Sequence, residues 1–273
     1  MTTSQPLPWV ICAIFRNESR YLREWVEFHI LQGAERLYLY NNRSDDDFLA
    51  VLAPYLADGT VHLVPWPLDP PCQLQAYQHR LLRLAGRPLW CAFLDCDEFL
   101  FAPAHATVTD ALACIPRNWG AVGVNWLCFG SGGQQVYEPG LVTERFTWRA
   151  DSAYPFNLHV KSIIRMDQEV DVGPTPHHFN VQRSTFTEQG CPLYGPLTHA
   201  HSSRLLRINH YCSKSRTEWL ERAALGKPDR PDTMRSDPAW YDERQAMDVD
   251  DRDIQRFLPQ LYDRLHLEVP ACR

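Results

Sequence analysis

Residues 9–15, WVICAIF, form an unbroken apolar run of strand length, as expected for a strand covered on both faces. The run breaks at Arg16-Asn17-Glu18. Leu22, Trp25, Val26 and His29 then recur at helical spacing. This predicts a helix that starts near Ser19, as its N-cap, and stops at Gly33. RLYLY (36–40) predicts a second strand and runs into NNRSDDD. Phe48, Val51, Leu52 and Tyr55 predict a second helix, which Pro54 shortens or kinks. TVHLVPW (60–66) is a third strand, Leu74, Tyr77, Leu81 and Leu84 mark a third helix, and LWCAFL (89–94) is a fourth strand.

Strands and helices that alternate through short links predict an α/β fold, doubly wound around a mostly parallel sheet. Such sheets bind ligands at the carboxyl ends of their strands. Three polar clusters fall there: Arg16-Asn17-Glu18, then Asn41, Asn42, Ser44 and Asp45, then Asp95 and Asp97. The second half is less regular. Residues 120–133 predict a strand entering a glycine-rich loop, and 141–149 and 158–165 alternate like strands. Residues 171–201, rich in Pro, Gly and His, predict loop. Ile254, Phe257, Leu258, Leu261 and Leu265 share one helical face, with Pro259 distorting that helix. The expected organisation is one domain over 1–226 and a helical extension, 227–273, packed on it.

Composition narrows the class. A formal net charge of −6 in 273 residues speaks against nucleic-acid binding through a general positive field. The nine cysteines contain no C-x-x-C pair, which reads as a reduced set in a cytoplasmic protein. No apolar stretch reaches the ~18 residues of a transmembrane helix, and the N-terminus has no basic, leader-like start. Peripheral contact with a membrane is compatible with this pattern.

One stretch demands chemistry. In CAFLDCDEFLF (91–101) three carboxylates, Asp95, Asp97 and Glu98, sit between two apolar segments. Charges that close must be solvated at a turn or neutralised by a cation. A D-x-D pair suits a hard divalent ion whose other ligands are phosphate oxygens. Glu98 also fits as a turn cap. His29, on an apolar stripe, reads as a core histidine. His177 and His178 are adjacent and face opposite ways on an extended chain, whereas His199 and His201 could share a face; geometry alone does not choose among the histidines. Lys161 fits a phosphate-binding point charge or a surface residue.

ICAIFRNESRYLREWVEFHILQGAERLYLYNNRSDDDFLAVLAPYLADG, Gln75 and Tyr77, WCAFLDCDEFLF, NWLCFGSGG, LVTERF, HVKSIIR and INHYCSKS resemble glycosyltransferase family 92 and bacterial family 2-like glycosyltransferases over residues 9 to 226. The resemblance implies a GT-A-like fold, a nucleotide-sugar donor such as UDP-galactose, Mn2+ or Mg2+, and inversion at the anomeric carbon. It further implies Phe15, Arg16, Asn17, Asn41, Asn42, Gln75 and Lys161 at the donor, Asp95, Asp97 and His210 at the metal, and Glu144 as catalytic base. The acceptor would be a glycan or lipid-linked saccharide. The glycine-rich loop lacks a second serine that many relatives carry. Two other readings stand beside this one: a sugar nucleotidyltransferase, against which the absence of glycines after the first strand counts, and an inactive glycan-binding module of the same fold.

Overall fold

The computed structural model describes residues 6–225, 241–242, 245 and 247–268. The first half follows the hydropathy pattern: β1 (Trp9–Phe15), α1 (Ser19–Leu31), β2 (Ala34–Asn41), α2 (Phe48–Ala57), β3 (Val61–Pro65), α3 (Gln73–Leu84) and β4 (Trp90–Phe93). Then come β5 (Glu98–Phe101), α4 (Val108–Ala113), β6 (Ala121–Cys128), α5 (Val142–Arg145), β7 (Trp148–Arg149), β8 (Val160–Arg165), β9 (Val170–Thr175), β10 (His178–Val181), β11 (Thr185–Thr187), β12 (Arg207–His210) and α6 (Arg216–Ala224). A C-terminal helix, Leu258–Leu265, closes the described chain.

Among the described residues the main sheet runs β3-β2-β1-β4-β8-β6-β12-β5, with β11 beside β6. It is mixed. β3, β2, β1 and β4 are parallel neighbours, but β8 runs antiparallel to both β4 and β6, and β5 antiparallel to β12. Every residue of β1 is buried. Its Trp9, Ile11 and Ala13 join one apolar cluster with Leu22, Trp25 and Phe28 of α1, while Val10, Cys12 and Ile14 join a second with Tyr77 and Leu81 of α3. This two-sided burial is what an uninterrupted apolar run encodes.

Several expectations need correction. Glu18, not Ser19, is the N-cap of α1 and makes no side-chain cap bond. The Ser19 N–H instead donates to Asp46 Oδ2 at 2.7 Å. Helix α2 runs through Pro54 to Ala57. In the stretch 141–149, Val142–Arg145 form the helical turn α5 and strand is confined to Trp148–Arg149. The Glu24 carboxylate accepts the Val142 and Thr143 N–H groups at 2.7 and 3.0 Å, and an acceptor at two successive amides favours a helix start over a strand. Within 171–201, expected as loop, β9 and β10 form an antiparallel hairpin. The strand β5 was not foreseen. Pro259 falls in the first turn of the C-terminal helix, after a 3-10 turn at Asp253–Phe257, where its missing N–H costs nothing. Residues 226–240 and Cys272 lie outside the described residues.

His29 is a core histidine, as expected. Its Nδ1–H donates to the Trp25 carbonyl at 2.8 Å, and its Nε2 accepts the Leu100 N–H at 3.2 Å. Burial pushes it down to about 3. The unfolded chain therefore binds a proton at His29 below its ordinary value of 6.5 while the folded chain does not. Stability contributed here is complete above that value and is lost as pH falls towards 3, by up to roughly 5 kcal/mol. Urea titrations of wild type and His29→Gln at pH 7.5 and 4.5 should show the wild type losing more stability than the variant; equal losses would exclude this coupling.

Candidate active site

Strand pairing assembles the site. Cys12 of β1 lies opposite Phe93 of β4, and Phe15 opposite Asn41 of β2. The three parallel strands thus end at one edge, just before Asp95. The chain turns there, with the Glu98 N–H donating to the Asp95 carbonyl at 3.0 Å, and enters β5. β5 sets Glu98 opposite His210 of β12, and the Tyr211 N–H donates to the Asp97 carbonyl at 2.9 Å. The reversed strand β8 presents Lys161 from its own beginning to the same edge.

The three carboxylates are neutralised from within the chain. Lys161, fully buried, places Nζ 2.9 Å from Asp95 Oδ2 and 3.5 Å from Glu98 Oε1. Asp97 is buried, and its Oδ2 accepts from the Arg222 guanidinium of α6 and lies 3.4 Å from His210 Nε2. Burial would push Asp97 up, but Arg222, then His210, hold it well below the usual carboxylate range. Burial likewise acts upward on Asp95, and Lys161 brings it net down. Glu98 goes the other way: burial, with Asp95 and Asp97 beside it, raises it well above the usual range despite Lys161. One ammonium and one guanidinium lie against the three acids, and burial favours a proton on Glu98, which is how so many acids fit between apolar segments. Polar valence is left over. Asp97 Oδ1 and His210 Nδ1 are buried without a hydrogen-bond partner. Buried polar atoms in that state are rare and call for an explanation, such as a ligand or ordered water.

The residues singled out in the sequence take varied places. Arg16 is exposed at the edge, and Asn17 lines a cavity of about 290 Å³ together with Glu18, Lys214 and Arg222. Asn17 sits in the left-handed region at φ 55° and clamps the two loops. Its Nδ2–H donates to Asp45 Oδ1 at 2.7 Å, and its Oδ1 accepts the Asp45 N–H at 2.9 Å. Asn41 accepts the Ser44 N–H, and Asn42 donates to the Trp66 and Leu68 carbonyls at 2.8 Å each. Much of the NNRSDDD polarity is thus spent on loop structure. Phe15 is buried edge-on against Phe48. Gln75 is exposed, with its amide 3.5 Å from the Pro71 carbonyl. Gln73, two positions earlier, is buried and donates to Asp95 Oδ1 at 3.0 Å. Glu144 accepts from the Tyr262 hydroxyl at 2.5 Å, and its carbonyl accepts from Gln255; these contacts join it to the C-terminal segment. Of the other histidines, His177 donates Nδ1–H to the Val160 carbonyl, and burial, then Lys161, push it down to about 3. His178 lies 3.3 Å from the Leu193 carbonyl.

Arg222 and Gln73 were missed in the sequence. Gln73 opens an amphipathic helix whose buried stripe was read only from its apolar members. Arg222 meets Asp97 across 125 positions, and no local pattern encodes that contact.

Edge, cluster and cavity define an α/β protein with its polar centre at the carboxyl ends of parallel strands. A model of glycosyltransferase family 92 matches residues 8–167, and the chain belongs to that family. A glycosyltransferase family 92 protein of Oryza sativa subsp. japonica is 26% identical over 278 residues, covering 94% of this chain and 45% of that protein. Another, of Ricinus communis, is 35% identical over 112 residues, covering 40% of this chain and 20% of its own length. The chain thus spans less than half the length of these relatives. Similar solved structures include S. aureus TarS 1-349 at TM-score 0.39 and 13% identity, covering 59% of this chain and 47% of that one. Glucosyl-3-phosphoglycerate synthase from Mycobacterium tuberculosis matches at TM-score 0.32 and 16% identity, over 46% of this chain and 45% of that one. No described helix is long and apolar enough to cross a membrane.

Proposed function

We propose that this chain moves a hexose, galactose-like, from a UDP-sugar to a hydroxyl of a glycan or lipid-linked saccharide, with inversion and with a divalent metal. Family membership supports glycosyl transfer as the class of chemistry. The observation that carries the finer reading is the unpartnered Asp97 Oδ1 in the buried acid cluster.

Among the described residues no three His, Cys, Asp or Glu side chains converge as a complete ligand set. Asp97 and His210 nonetheless supply a hard oxygen and an imidazole, which suits an ion that draws most of its ligands from a diphosphate. When bound, Mn2+ or Mg2+ would supply Lewis-acid stabilisation of the departing diphosphate. The chain's own part is electrostatic and positional. Lys161 and Gln73 fix Asp95; Arg222, Lys214 and Asn17 line the cavity in which the donor would lie. Positive groups so placed oppose the charge that grows on the leaving group. In this reading Glu144, whose Oε2 accepts from Tyr262, would take the proton of the acceptor hydroxyl as general base.

Calorimetric titration with UDP tests the proposal. Binding in the presence of Mn2+ that weakens at least about tenfold in EDTA is the expected result. The same weakening should appear in Asp97→Asn with Mn2+ present. Absence of UDP binding in both conditions would overturn the donor assignment.

A further inference from the structure

Most charged side chains that line the cavity at the strand edge are paired within the chain. Arg20 donates to Glu221 at 3.0 Å, and Arg222 donates to Asp97 and lies 3.9 Å from Glu18. Glu218 accepts from the Tyr21 hydroxyl at 2.7 Å and from Arg145 at 2.9 Å. Two groups on the wall differ. Lys214 is only 4% exposed, yet its ammonium makes no hydrogen bond or ion pair among the described residues. Its Nζ stands 4.4 Å from the centroid of the Tyr21 ring, which lines the same cavity. Asp46 accepts the Ser19 N–H on Oδ2, while its Oδ1 is buried without a partner.

Both groups are held in place. Lys214 has a left-handed backbone at φ 51°, which is uncommon for a residue with a side chain and persists where the surroundings dictate it. The next residue, Ser215, caps α6 through a capping box with Glu218. The ammonium is thus placed by the start of the helix that also carries Arg222. Asp46 is fixed by Ser19 at the start of α1, and its neighbour Asp45 is clamped by Asn17. An ammonium withdrawn from water calls for an anion, and a carboxylate oxygen without a donor calls for an N–H or O–H. The two demands are opposite. A single ligand that meets both carries an anionic group at one end and hydroxyls at the other.

We propose that the cavity takes the ribose diphosphate of the donor in one direction, with the diphosphate on Lys214 and a ribose hydroxyl on Asp46 Oδ1. This inference rests on the transferase reading above and gives its donor an orientation. The topology agrees with it. Lys214 comes four residues after His210, which ends β12, and shares the cavity with Arg222, which touches Asp97. Asp46 follows β2, and β1 separates β2 from β4. The diphosphate therefore lies towards the acidic edge and the nucleoside away from it, so the sugar–phosphate bond points to Asp97. The reverse orientation would set phosphate oxygens against a carboxylate and leave the ammonium without an anion.

Calorimetric titration of the full chain, with Mn2+ present, reads the two ends separately. Wild type should prefer UDP over UMP, and UDP over at least one of 2′-deoxy-UDP and 3′-deoxy-UDP, each by about tenfold or more. Lys214→Gln should erase most of the first preference and keep the second. Asp46→Asn keeps an oxygen for the Ser19 N–H but puts an amide N–H where Oδ1 stood. It should erase the second preference and keep the first. Should Lys214→Gln melt early, Lys214→Asn repeats the test with a residue suited to left-handed backbone. General damage to the fold would move both preferences together. The inference is overturned if wild type lacks either preference, if each variant keeps both, or if each variant loses both. The donor reading fails separately: wild type that ignores UDP but binds ADP, CDP or GDP with the same two-ended dependence loses UDP and keeps this orientation. Binding of none of these nucleoside diphosphates would overturn both.

Discussion

Asp97→Asn is expected to lower turnover by about a hundredfold or more while the protein stays folded. Asparagine keeps the shape of the buried side chain and an oxygen that accepts from Arg222, so packing at the β4–β5 turn is retained. The lost charge leaves Arg222 without its main counter-ion. That side chain is 22% exposed, so water and Glu18, 3.9 Å away, take over part of the pairing. What disappears is the anionic oxygen with no internal partner. The check is release of UDP from a panel of UDP-hexoses, with a glycoside as acceptor, beside thermal unfolding of both proteins. Wild-type turnover in the variant would remove Asp97 from the chemistry. A collapsed melting temperature would make it a folding residue instead.

Lys161→Met should be costly in a different way. Lys161 is only 1% exposed and is the cation shared by Asp95 and Glu98. Methionine fills the space of its stem but leaves the Asp95 charge facing two acids. Removing one partner of a buried pair typically costs about 3–5 kcal/mol. Part of that is recovered here if Asp95 takes up a proton. Stability from Asp95, whose pKa is lowered in the fold, is present above its ordinary value and lost as pH falls through the lowered one. The variant's deficit should accordingly be large at pH 7 and shrink below about pH 4. Glu98→Gln, which replaces an acid that burial pushes towards its protonated form, should cost less than Lys161→Met. Urea midpoints of the two variants at pH 7 decide this, and equal losses would contradict it.

Asp95 and Asp97 were placed at a strand end because an apolar run of strand length stops there, and periodicity is local. His29 was legible for the same reason, lying on one stripe of one helix. Strand direction was not legible. An apolar run reads alike in a parallel and an antiparallel neighbour, so the mixed character of the sheet was hidden, and β5 was masked by the acids before it. Residues 141–149 alternate like a strand, but Glu24, on a distant helix, supplies the acceptor that turns them into α5. Gln75 was chosen on motif and Gln73 does the work at Asp95, because only the helix's rotation tells which glutamine faces inward. Arg222 depends on a contact between chain segments far apart, which spacing does not report.

The direction of β8 bears on how this chain tolerates change. Because that strand runs against β4, its first residues, not its last, reach the acidic edge, and Lys161 is the second of them. Side chains alternate between the faces of a sheet. A one-residue insertion or deletion between the 3-10 turn Pro155–Leu158 and Lys161 would therefore turn the ammonium away and bring Val160 or Ser162 to face Asp95. Lengthening the loop after Arg165 would leave the charge balance untouched. Relatives that keep the carboxylates are thus expected to vary in length on one side of β8 and to hold it constant on the other.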